Sequence, residues 1–354
     1  MIYAGVDIHK KFSFITAMNE NGKVVNQMKI MHGKQINQAP WNDFFDLFSE
    51  PVSCAVEATG MWSPIYDALE PLVSSIKLAH PLKTRAIADA RIKTDKIDSS
   101  TLAHLLRADL LPTCYIPTKE IRDGRELLRY RARLVSLQTL IKNKIHSLLH
   151  RCGYIYEGTD LFGKSGLGYL DSLSLQPVYK NELQGYLRIL NYIKQEIKLV
   201  TKDIHRKLEI TPNALLIQSI HGIGKYLALL IAMEIGDINR FRKPAKLVSY
   251  SGLNPAVFSS GGKTHYGSIS KQGSKWLRWA LILATQKYKN HKGSLGNFFR
   301  KIDYRHGSKA ARVALARKLA TIIWHMLSKN EPFKEEVLIK DLKKGTVSPL
   351  ASGR

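Results

Sequence analysis

The stretch "IYAGVDIHKKFSFITAMNENGKVVNQMKIM" (residues 2–31) decides how the N-terminal third of the chain folds. Residues 2–8 and 11–18 are rich in apolar, β-branched and aromatic side chains, a pattern typical of strands. Asn21-Gly22 is a strong hairpin signal, and residues 23–31 make a third strand-like run. The stretch therefore predicts three consecutive antiparallel strands.

The elements that follow extend this start into an α/β domain. Helical patterns near residues 41–48 and 64–72 alternate with strand patterns at 52–58 and 75–80, and helical segments follow over residues 83–107. The order β-β-β-α-β-α-β-α implies a mixed sheet with helices on its faces. Pro112 and Pro117 then end the domain, which we place at residues 1–118.

Two long amphipathic helices are predicted over residues 119–210. Their apolar residues recur at heptad-like spacing, which indicates a coiled-coil-like seam. The first set is Leu127, Leu134, Ile141 and Leu148; the second is Leu190, Ile193, Ile197, Val200 and Ile204. The glycine-rich piece between them, "EGTDLFGKSGLGYL" (residues 157–170), is predicted to be a loop. An antiparallel pair within one chain and a dimer stalk are both compatible with this pattern.

The rest of the chain is predicted to be mainly helical. A polar segment rich in glycine and serine, residues 254–274, interrupts the pattern and is interpreted as a flexible loop. We place a C-terminal domain at residues 211–335 and a basic tail at residues 336–354.

The charge of the chain points to a nucleic-acid partner. Among 354 residues there are 54 Lys and Arg against 29 Asp and Glu, a formal net charge of +25, and 44% of residues are hydrophobic. A folded chain with this excess of cations is suited to phosphate backbones, from which Lys and Arg displace counterions. A generally basic surface, or binding to an anionic membrane, is the alternative.

Other classes of protein fit less well. No apolar run reaches the roughly 18 residues that a membrane span needs, and the N-terminus lacks the layout of a signal peptide. The three cysteines are far apart and odd in number, which favours neither a disulfide framework nor a cysteine-based zinc site. We expect a soluble, cytoplasmic protein without a membrane partner.

Two carboxylates stand close together in "KTDKIDSSTLA" (residues 93–103), where the pattern becomes helical. Asp95 and Asp98 are three residues apart, so they share one helix face and repel unless a cation or a proton lies between them. The alternative is that Asp95 caps the helix and Asp98 occupies its first turn, which favours acids.

Two more acids end neighbouring strands. Asp7 ends the first strand and Glu57 the fourth, and a ribonuclease-H-like sheet places those strands side by side. Together with Asp95 and Asp98 they would supply four hard oxygen ligands for Mg²⁺ or Mn²⁺. Such a site polarises a phosphodiester and stabilises its leaving oxygen.

Two further features indicate contacts with phosphates. Gly222-Ile223-Gly224, followed by Lys225, separates two apolar helical runs as in a helix-hairpin-helix, whose backbone N–H groups bind phosphate. A tight turn with structural glycines is the alternative. The first long helix carries cations on a face predicted to be exposed, which serves either nucleic acid or solvent. These cations are Arg125, Arg129, Arg133 and Lys144.

Five motifs, in order along nearly the whole chain, resemble one known family. They are "GVDIHK", "AVEATG", "KTDKID", "IHGIGKYLALLI" and "SGLNPAVFSSGGK". The chain is similar to the transposases of IS110-type insertion sequences, a family that includes the Piv DNA invertase and members guided by a bridge RNA. The resemblance implies an N-terminal fold like that of the RuvC junction resolvase. In that fold Asp7, Glu57, Asp95 and Asp98 match the metal-binding acidic tetrad.

The resemblance also implies a serine nucleophile. It places this residue after "GLNP" and immediately before a glycine, which is Ser260; read alone, Ser259-Ser260-Gly261-Gly262 is an ordinary loop. Because Ser259 is also a serine, the choice between the neighbours depends on register. Metal at the acidic site is the expected activator, and Lys263 and Lys271 would offset phosphate charge.

The function implied by the resemblance is a metal-dependent, RNA-guided transposase and site-specific recombinase. It would exchange strands of donor and target DNA through a covalent serine–DNA intermediate, with a guide (bridge) RNA as partner. The family also implies a homo-oligomer, a dimer or tetramer, in a bacterial or archaeal cell, associated with the nucleoid when active. The alternatives are a nucleic-acid-binding protein without chemistry and a junction-resolving nuclease that uses water, in which Ser260 is structural.

Overall fold

Six strands of the N-terminal unit, residues 1–117, form one mixed sheet in the order β3-β2-β1-β4-β5-β6. The strands are β1 (Ile2–Ile8), β2 (Phe12–Met18), β3 (Val24–Met31), β4 (Val52–Glu57), β5 (Ser75–Ala79) and β6 (Thr113–Cys114). The predicted mixed α/β sheet is confirmed, and it fits a ribonuclease-H-like domain. The short strand β6 was not predicted, because two residues carry no readable alternation.

The computed structural model describes residues 1–88, 94–260 and 263–334. The side chains of Phe258, Ser259, Ser260, Lys263, Thr264 and Tyr266 are outside that description, although their backbone is within it. Gly261, Gly262 and the predicted basic tail at residues 336–354 lie outside the described residues.

Strand β1 is the central element of the sheet. It pairs antiparallel with β2 and parallel with β4, in a register that sets Val6 beside Val56. Side chains of β1 are buried on both faces of the sheet: Ala4 and Val6 on one face have no exposed surface, and Asp7 on the other is 7% exposed. The continuous apolar run in the sequence follows from this double burial.

Four helices pack around the sheet: α1 (Ala39–Phe45), α2 (Trp62–Leu69), α3 (Pro81–Ile87) and α4 (Asp95–Arg107). Helix α1 buries Trp41, Phe44 and Phe45, and α2 adds Ile65 and Leu69 to the same apolar cluster. Helix α4 contributes Leu102, Leu105 and Leu106 to a second cluster, which it forms with Ala55 and Ala79 of the sheet.

Helix α4 approaches the sheet closely because residue 5 is glycine. A Cβ at Gly5 would overlap the carbonyl oxygen of Ser99 and lie 2.5 Å from the amide nitrogen of Ala103. The hydroxyl groups of Thr16 and Ser99, both fully buried, are 2.7 Å apart and join the helix to β2. The helix backbone therefore lies directly against β1, with one buried hydrogen bond fixing its position.

The second unit is residues 118–354, and its described part is mainly helical with one β-hairpin. Its elements are α5 (Lys119–Arg151), α6 (Lys164–Ser172), α7 (Pro177–Lys207), α8 (Pro212–Gln218), α9 (Lys225–Ile235), α10 (Pro244–Tyr250), β7 (Pro255–Ser260), β8 (Lys263–Ile269), α11 (Lys275–Ala284) and α12 (Ser294–Lys329). In the part of the chain that the structure describes, no helix combines the length and hydrophobicity that crossing a bilayer requires.

The two long helices α5 and α7 pack against each other within the chain. Arg151 at the end of α5 bonds Glu182 near the start of α7, whereas Arg131 bonds Thr201 toward the other end, so the helices run antiparallel. Several heptad residues are buried, among them Leu148 and Leu190. A dimer stalk is not needed to bury this seam, and the finer coiled-coil geometry stays a prediction.

The prediction of a loop over residues 157–170 is wrong in its second half. Helix α6 begins at Lys164, despite Gly166 and Gly168, because packing stabilises it. Its buried residue Leu170 packs with Leu161 in an apolar cluster at the end of the helix pair. Gly166 itself lies against the backbone of Leu161, where a Cβ would overlap that backbone. Tertiary packing here outweighs the low helix propensity of glycine.

The prediction that Ser259 and Ser260 lie in a flexible loop is also wrong, while Gly261 and Gly262 lie outside the described residues. Strands β7 and β8 form an antiparallel hairpin in which Val257 pairs with Tyr266 and Ser260 with Lys263. A sequence signal existed, because a Gly-Gly dipeptide between two runs of β-forming residues is typical of a two-residue hairpin. The many serines obscured it.

A buried ion pair joins α5 to the core of the second unit. The carboxylate of Glu234 in α9 has no exposed surface, and the Arg129 guanidinium contacts both its oxygens, at 2.7 and 3.0 Å. The hydroxyl of Ser274, which caps α11, donates a hydrogen bond to the same carboxylate at 2.8 Å. These bonds fix the relative positions of α5, α9 and α11.

We expect Gly5→Ala to destabilise the N-terminal unit by about 1–3 kcal/mol, because the added methyl group overpacks the contact with α4. Gly60→Ala is the matched control, since a Cβ at Gly60 meets no atom within 4 Å. Urea unfolding of the full chain, followed by tryptophan fluorescence, measures both. Equal stability of the two variants would contradict the close contact between Gly5 and α4.

Candidate metal centre and nucleic-acid interface

The sheet brings Asp7 and Glu57 to the same edge. Asp7 follows Val6 in β1, and Glu57 follows Val56 in β4; the two valines are partners in a parallel pair. Because the chain directions agree, the next residue on each strand lies at the carboxyl end of the sheet. The structure therefore places these two predicted site residues side by side, Asp7 buried and Glu57 half-buried.

Helix α4 brings the other two acids to this edge through its first turn. Asp95 is the first residue of the helix, and Asp98 lies within the first turn. The N-cap is Thr94, whose hydroxyl accepts a hydrogen bond from the amide of Ile97 at 3.2 Å. The alternative is therefore wrong in making Asp95 the cap and right in placing Asp98 in the first turn, where the helix dipole favours both acids.

Burial and like charge act together on Asp7. Burial raises the pKa of the Asp7 carboxyl above its usual value, and the negative charges of Asp98 and Asp95 raise it further. His9 acts in the opposite direction and lowers the pKa of this carboxyl. An acid that is desolvated and repelled by its neighbours is stabilised by any cation placed among them.

His9 joins two of the acids and was missed by the sequence analysis. Its Nε2 atom lies 3.0 Å from Oδ2 of Asp7 and 2.9 Å from Oδ1 of Asp95. The imidazole stacks on Phe12, with ring centroids 4.7 Å apart, and Lys29 covers that phenyl ring at 3.9 Å. A signal existed, because residues two apart on an extended chain point to the same face, and His9 is two residues after Asp7.

The cluster has the donor types that hold a divalent cation. Ligand atoms of Asp7, His9 and Asp95 all lie within 4.8 Å of one another. Asp98 is close enough to act electrostatically on Asp7, and Glu57 ends the neighbouring strand. Carboxylate oxygens suit Mg²⁺ and Mn²⁺, so the residues present fit such an ion.

The glycine turn between α8 and α9 has a structural requirement of its own. Gly222 has a φ of +84°, and a Cβ there would lie 2.7 Å from the carbonyl oxygen of Ala284. Gly224 precedes α9 as its N-cap residue, and Lys225 is the first residue of that helix. Packing accounts for Gly222. The backbone N–H groups after Gly224 lie at the start of α9 and are of the kind that contacts a phosphate.

The cations predicted on one exposed face of α5 do not share an environment. Arg125 is buried, and its guanidinium donates hydrogen bonds to the carbonyl oxygens of Met233 and Glu234, at 2.8 and 3.0 Å. The prediction that Arg125 is exposed is therefore wrong, because this side chain caps the end of α9. Burial lowers its pKa below the usual value for arginine.

The other three cations of this group differ in how exposed their side chains are. Arg129 is partly buried in its ion pair with Glu234. Arg133 and Lys144 are exposed, with Arg133 paired to Glu126 at 2.6 Å. Of the predicted set, Arg133 and Lys144 thus lie on an exposed surface, and a phosphate would compete with Glu126 for Arg133.

The predicted nucleophile lies at the end of a strand. Ser259 and Ser260 are the last residues of β7, and their backbone is paired with Thr264 and Lys263. Their side chains, and that of Lys263, are outside the described part of the structure. Lys271 is exposed just beyond the hairpin, with a φ of +55° and its carbonyl oxygen bonded by Arg278.

Comparison with known families gives two matches that follow each other along the chain. Residues 4–153 match a transposase family model named for the DEDD transposases of IS110. Residues 214–300 match the model described as the transposase IS116/IS110/IS902 family. The first match spans the acidic cluster, and the second spans the glycine turn and the hairpin.

Individual relatives agree with these matches. The transposase for insertion sequence element IS1111A of Coxiella burnetii is 29% identical, over 93% of this chain and 90% of the relative. The pilin gene-inverting protein of Moraxella lacunata is 31% identical, over 80% of this chain and 82% of the relative. A probable family 20 transposase of Pseudomonas aeruginosa is 25% identical, over 93% of this chain. The chain belongs to the IS116/IS110/IS902 family of transposases and is a DNA transposase.

Proposed function

We propose that this transposase binds Mg²⁺ or Mn²⁺ through Asp7, Glu57, Asp95 and Asp98 and uses this centre to break DNA phosphodiester bonds. The observation that carries the proposal is the convergence of acids from β1, β4 and α4 on one edge of the sheet. They occur in the order Asp, Glu, Asp, Asp, the order in the name of the matching family model.

A divalent ion bound there would polarise the phosphodiester and stabilise the leaving oxygen. The protein's own contribution is to hold the carboxylates in place. The close contact at Gly5 sets α4 against β1 and the Thr16–Ser99 hydrogen bond ties it to β2, which together position the first turn of α4 near Asp7. Because the carboxylates around Asp7 repel one another, a cation bound at this edge would be strongly favoured.

We further propose that Ser260 is the nucleophile. Its Oγ would attack phosphorus, form a serine–phosphate ester and release a DNA hydroxyl, while the serine proton leaves to a base or to water. One phosphoester bond is formed for each one broken in this exchange, so that rejoining needs no ATP. The position before Gly261 and the cation Lys271 nearby in sequence support this role, as does the family match over residues 214–300.

The proposed substrates are donor and target DNA, with a guide (bridge) RNA that reads sequence by base pairing. The relatives named as transposases and as a pilin gene-inverting protein support DNA recombination. The net charge of +25 supports a large phosphate contact. In this proposal Gly224 and Lys225 contact a phosphate, and the active protein is a dimer or tetramer whose coiled-coil helices place domains of different protomers together. We propose that the chain divides into an N-terminal metal-binding domain at residues 1–118, the coiled-coil helices at 119–210, a C-terminal domain at 211–335 and a basic tail at 336–354.

A second candidate function is a junction-resolving nuclease that activates water at the same acidic centre. The hairpin favours it in one respect, because Ser259 and Ser260 lie in a paired strand and not in an open loop. The two functions share the metal centre and differ in the fate of the cut strand. Only the transposase forms a covalent protein–DNA adduct.

We expect Asp7→Asn to abolish metal binding and to stabilise the metal-free protein at neutral pH. The pKa of Asp7 is raised in the folded state, so its protonated form is favoured there, and this contribution to stability is lost as pH rises through the folded pKa. The amide of Asn does not ionise, so the variant does not lose this stability at neutral pH. Each 1 kcal/mol of added stability raises the Tm by about 2–4 °C.

Thermal unfolding with and without metal measures this effect. Mn²⁺ or Mg²⁺ at about 100 times its Kd should stabilise the wild-type protein by about 2.7 kcal/mol and leave the variant unchanged. Asp109→Asn is the control, since Asp109 is an exposed acid of the same unit, whose carboxylate pairs with Lys77 at 3.2 Å. A metal-induced shift that survives Asp7→Asn would contradict the proposed centre.

We expect Ser260→Ala to retain nucleic-acid binding and to lose the covalent intermediate completely. Ser259→Ala is the matched control and should retain the adduct. The substrate is the DNA that co-purifies with the protein, incubated with Mn²⁺, and mass spectrometry of the digested reaction locates a nucleotide on the serine peptide. An adduct on Ser259 would move the nucleophile by one residue. Cleavage without an adduct, unaffected by Ser260→Ala, would establish the water-using nuclease.

We expect the double variant Arg133→Glu, Lys144→Glu to weaken RNA or DNA binding and to reduce its salt dependence. Each lost phosphate contact removes about 0.7 to 0.9 from the log–log salt slope, so two contacts remove roughly 1.5. The same charge change at Lys23 and Lys34, both exposed in the N-terminal unit, controls for net charge. Equal salt slopes for the two double variants would assign Arg133 and Lys144 to a solvated helix face.

A further inference from the structure

We propose that His9 is a further metal ligand through Nε2, and that this nitrogen makes the centre favour Mn²⁺ over Mg²⁺. The inference rests on the proposed function, because it requires an ion at the acidic cluster. It adds a residue outside the four acids and predicts which ion the protein selects.

The distances from Nε2 of His9 to its two carboxylate neighbours fit one octahedral ion. Metal–ligand bonds of about 2.1 Å place neighbouring ligands of an octahedron about 3.0 Å apart. Nε2 of His9 lies 3.0 Å from Oδ2 of Asp7 and 2.9 Å from Oδ1 of Asp95. The two distances therefore match two adjacent edges of such an octahedron that share the nitrogen as a corner.

A single hydrogen bond accounts for one of the two contacts, that of Nε2 with Asp7, and leaves the contact with Asp95 to be explained. A ring nitrogen carries at most one hydrogen, and a strong hydrogen bond needs an angle above about 150° at that hydrogen. One hydrogen on Nε2 cannot point in this way at both Asp7 and Asp95. With a cation between the three groups, the nitrogen lone pair and both carboxylates are directed at one charge.

The imidazole is held in the orientation that this role requires. Its ring stacks on Phe12 at an interplanar angle of 30°, and the ammonium of Lys29 lies 3.9 Å from the centre of the phenyl ring. Residues 8 and 12 are the adjoining ends of β1 and β2, so His9 lies in the short connection between two paired strands. Nε2 thus faces the acids without a large loss of side-chain entropy on metal binding.

A nitrogen ligand changes which ion is preferred. Mg²⁺ takes oxygen ligands and keeps several waters, whereas transition-metal dications accept imidazole. Four carboxylates alone would discriminate little between Mg²⁺ and Mn²⁺, since both ions suit oxygen donors. The fifth donor, His9, supplies the difference.

The test measures coordination directly. The full-length protein is prepared with ¹⁵N-labelled histidine and with natural histidine, each is loaded with one equivalent of Mn²⁺, and electron spin-echo envelope modulation is recorded. We expect a nitrogen coupling that changes with the isotope and that is absent in His9→Gln. His104→Gln, which changes an exposed histidine of α4, should keep the coupling.

Titration calorimetry supplies a second readout. His9→Gln should weaken Mn²⁺ binding by about 10-fold or more and Mg²⁺ binding by less than about 3-fold. Mn²⁺ that binds the wild-type protein without a histidine coupling would overturn the role of His9 and leave the acidic centre intact. Failure of the protein to bind Mn²⁺ would overturn the acidic centre, and the role of His9 with it.

Discussion

The contact of α4 with β1 at Gly5 is the constraint on which the candidate centre depends. At that residue the helix backbone takes the space of a side chain, with Ser99 and Ala103 directly above the strand. The contact sets the height of the helix above the sheet, and the buried Thr16–Ser99 bond sets its position along β2. Because Asp95 and Asp98 are in the first turn of the same helix, fixing its body also fixes both acids relative to Asp7.

The close placement of these acids lowers the local stability of the folded protein. The carboxyl of Asp7 is buried, its pKa is raised by desolvation, and Asp95 and Asp98 raise it further. His9 offsets part of the repulsion, but one imidazole has no more than one positive charge to set against three nearby acids. The fold tolerates the cluster because α4 is anchored by apolar contacts farther along, through Leu102, Leu105 and Leu106. Local instability of this kind is typical of a site organised for an ion, since the ion removes it on binding.

The parts of this fold that the sequence predicted are those governed by pairing rules. The strand runs follow from their β-forming residues, and the positions of Asp7 and Glu57 follow from an expected ribonuclease-H-like sheet in which parallel strands end at one edge. Residues set by tertiary contacts were not predicted. Arg125 looked like a surface cation because a helix pattern does not show that α9 ends beside it, with carbonyl groups that need donors. Helix α6 and the hairpin were missed because packing around Leu161 and strand pairing at Val257 outweigh local glycine and serine content.

The arginines of the second unit show why net charge overstates the surface open to nucleic acid. Arg125, Arg240, Arg278 and Arg300 each donate hydrogen bonds to main-chain carbonyl groups. A guanidinium engaged in this way does not present its full fork of donors to a base edge, which is how arginine reads guanine. Exposed lysines such as Lys144 and Lys271 are point charges, which in the proposed function would hold phosphates without distinguishing bases. Contacts to the backbone carry no sequence information, which base pairing with the guide RNA proposed above would supply.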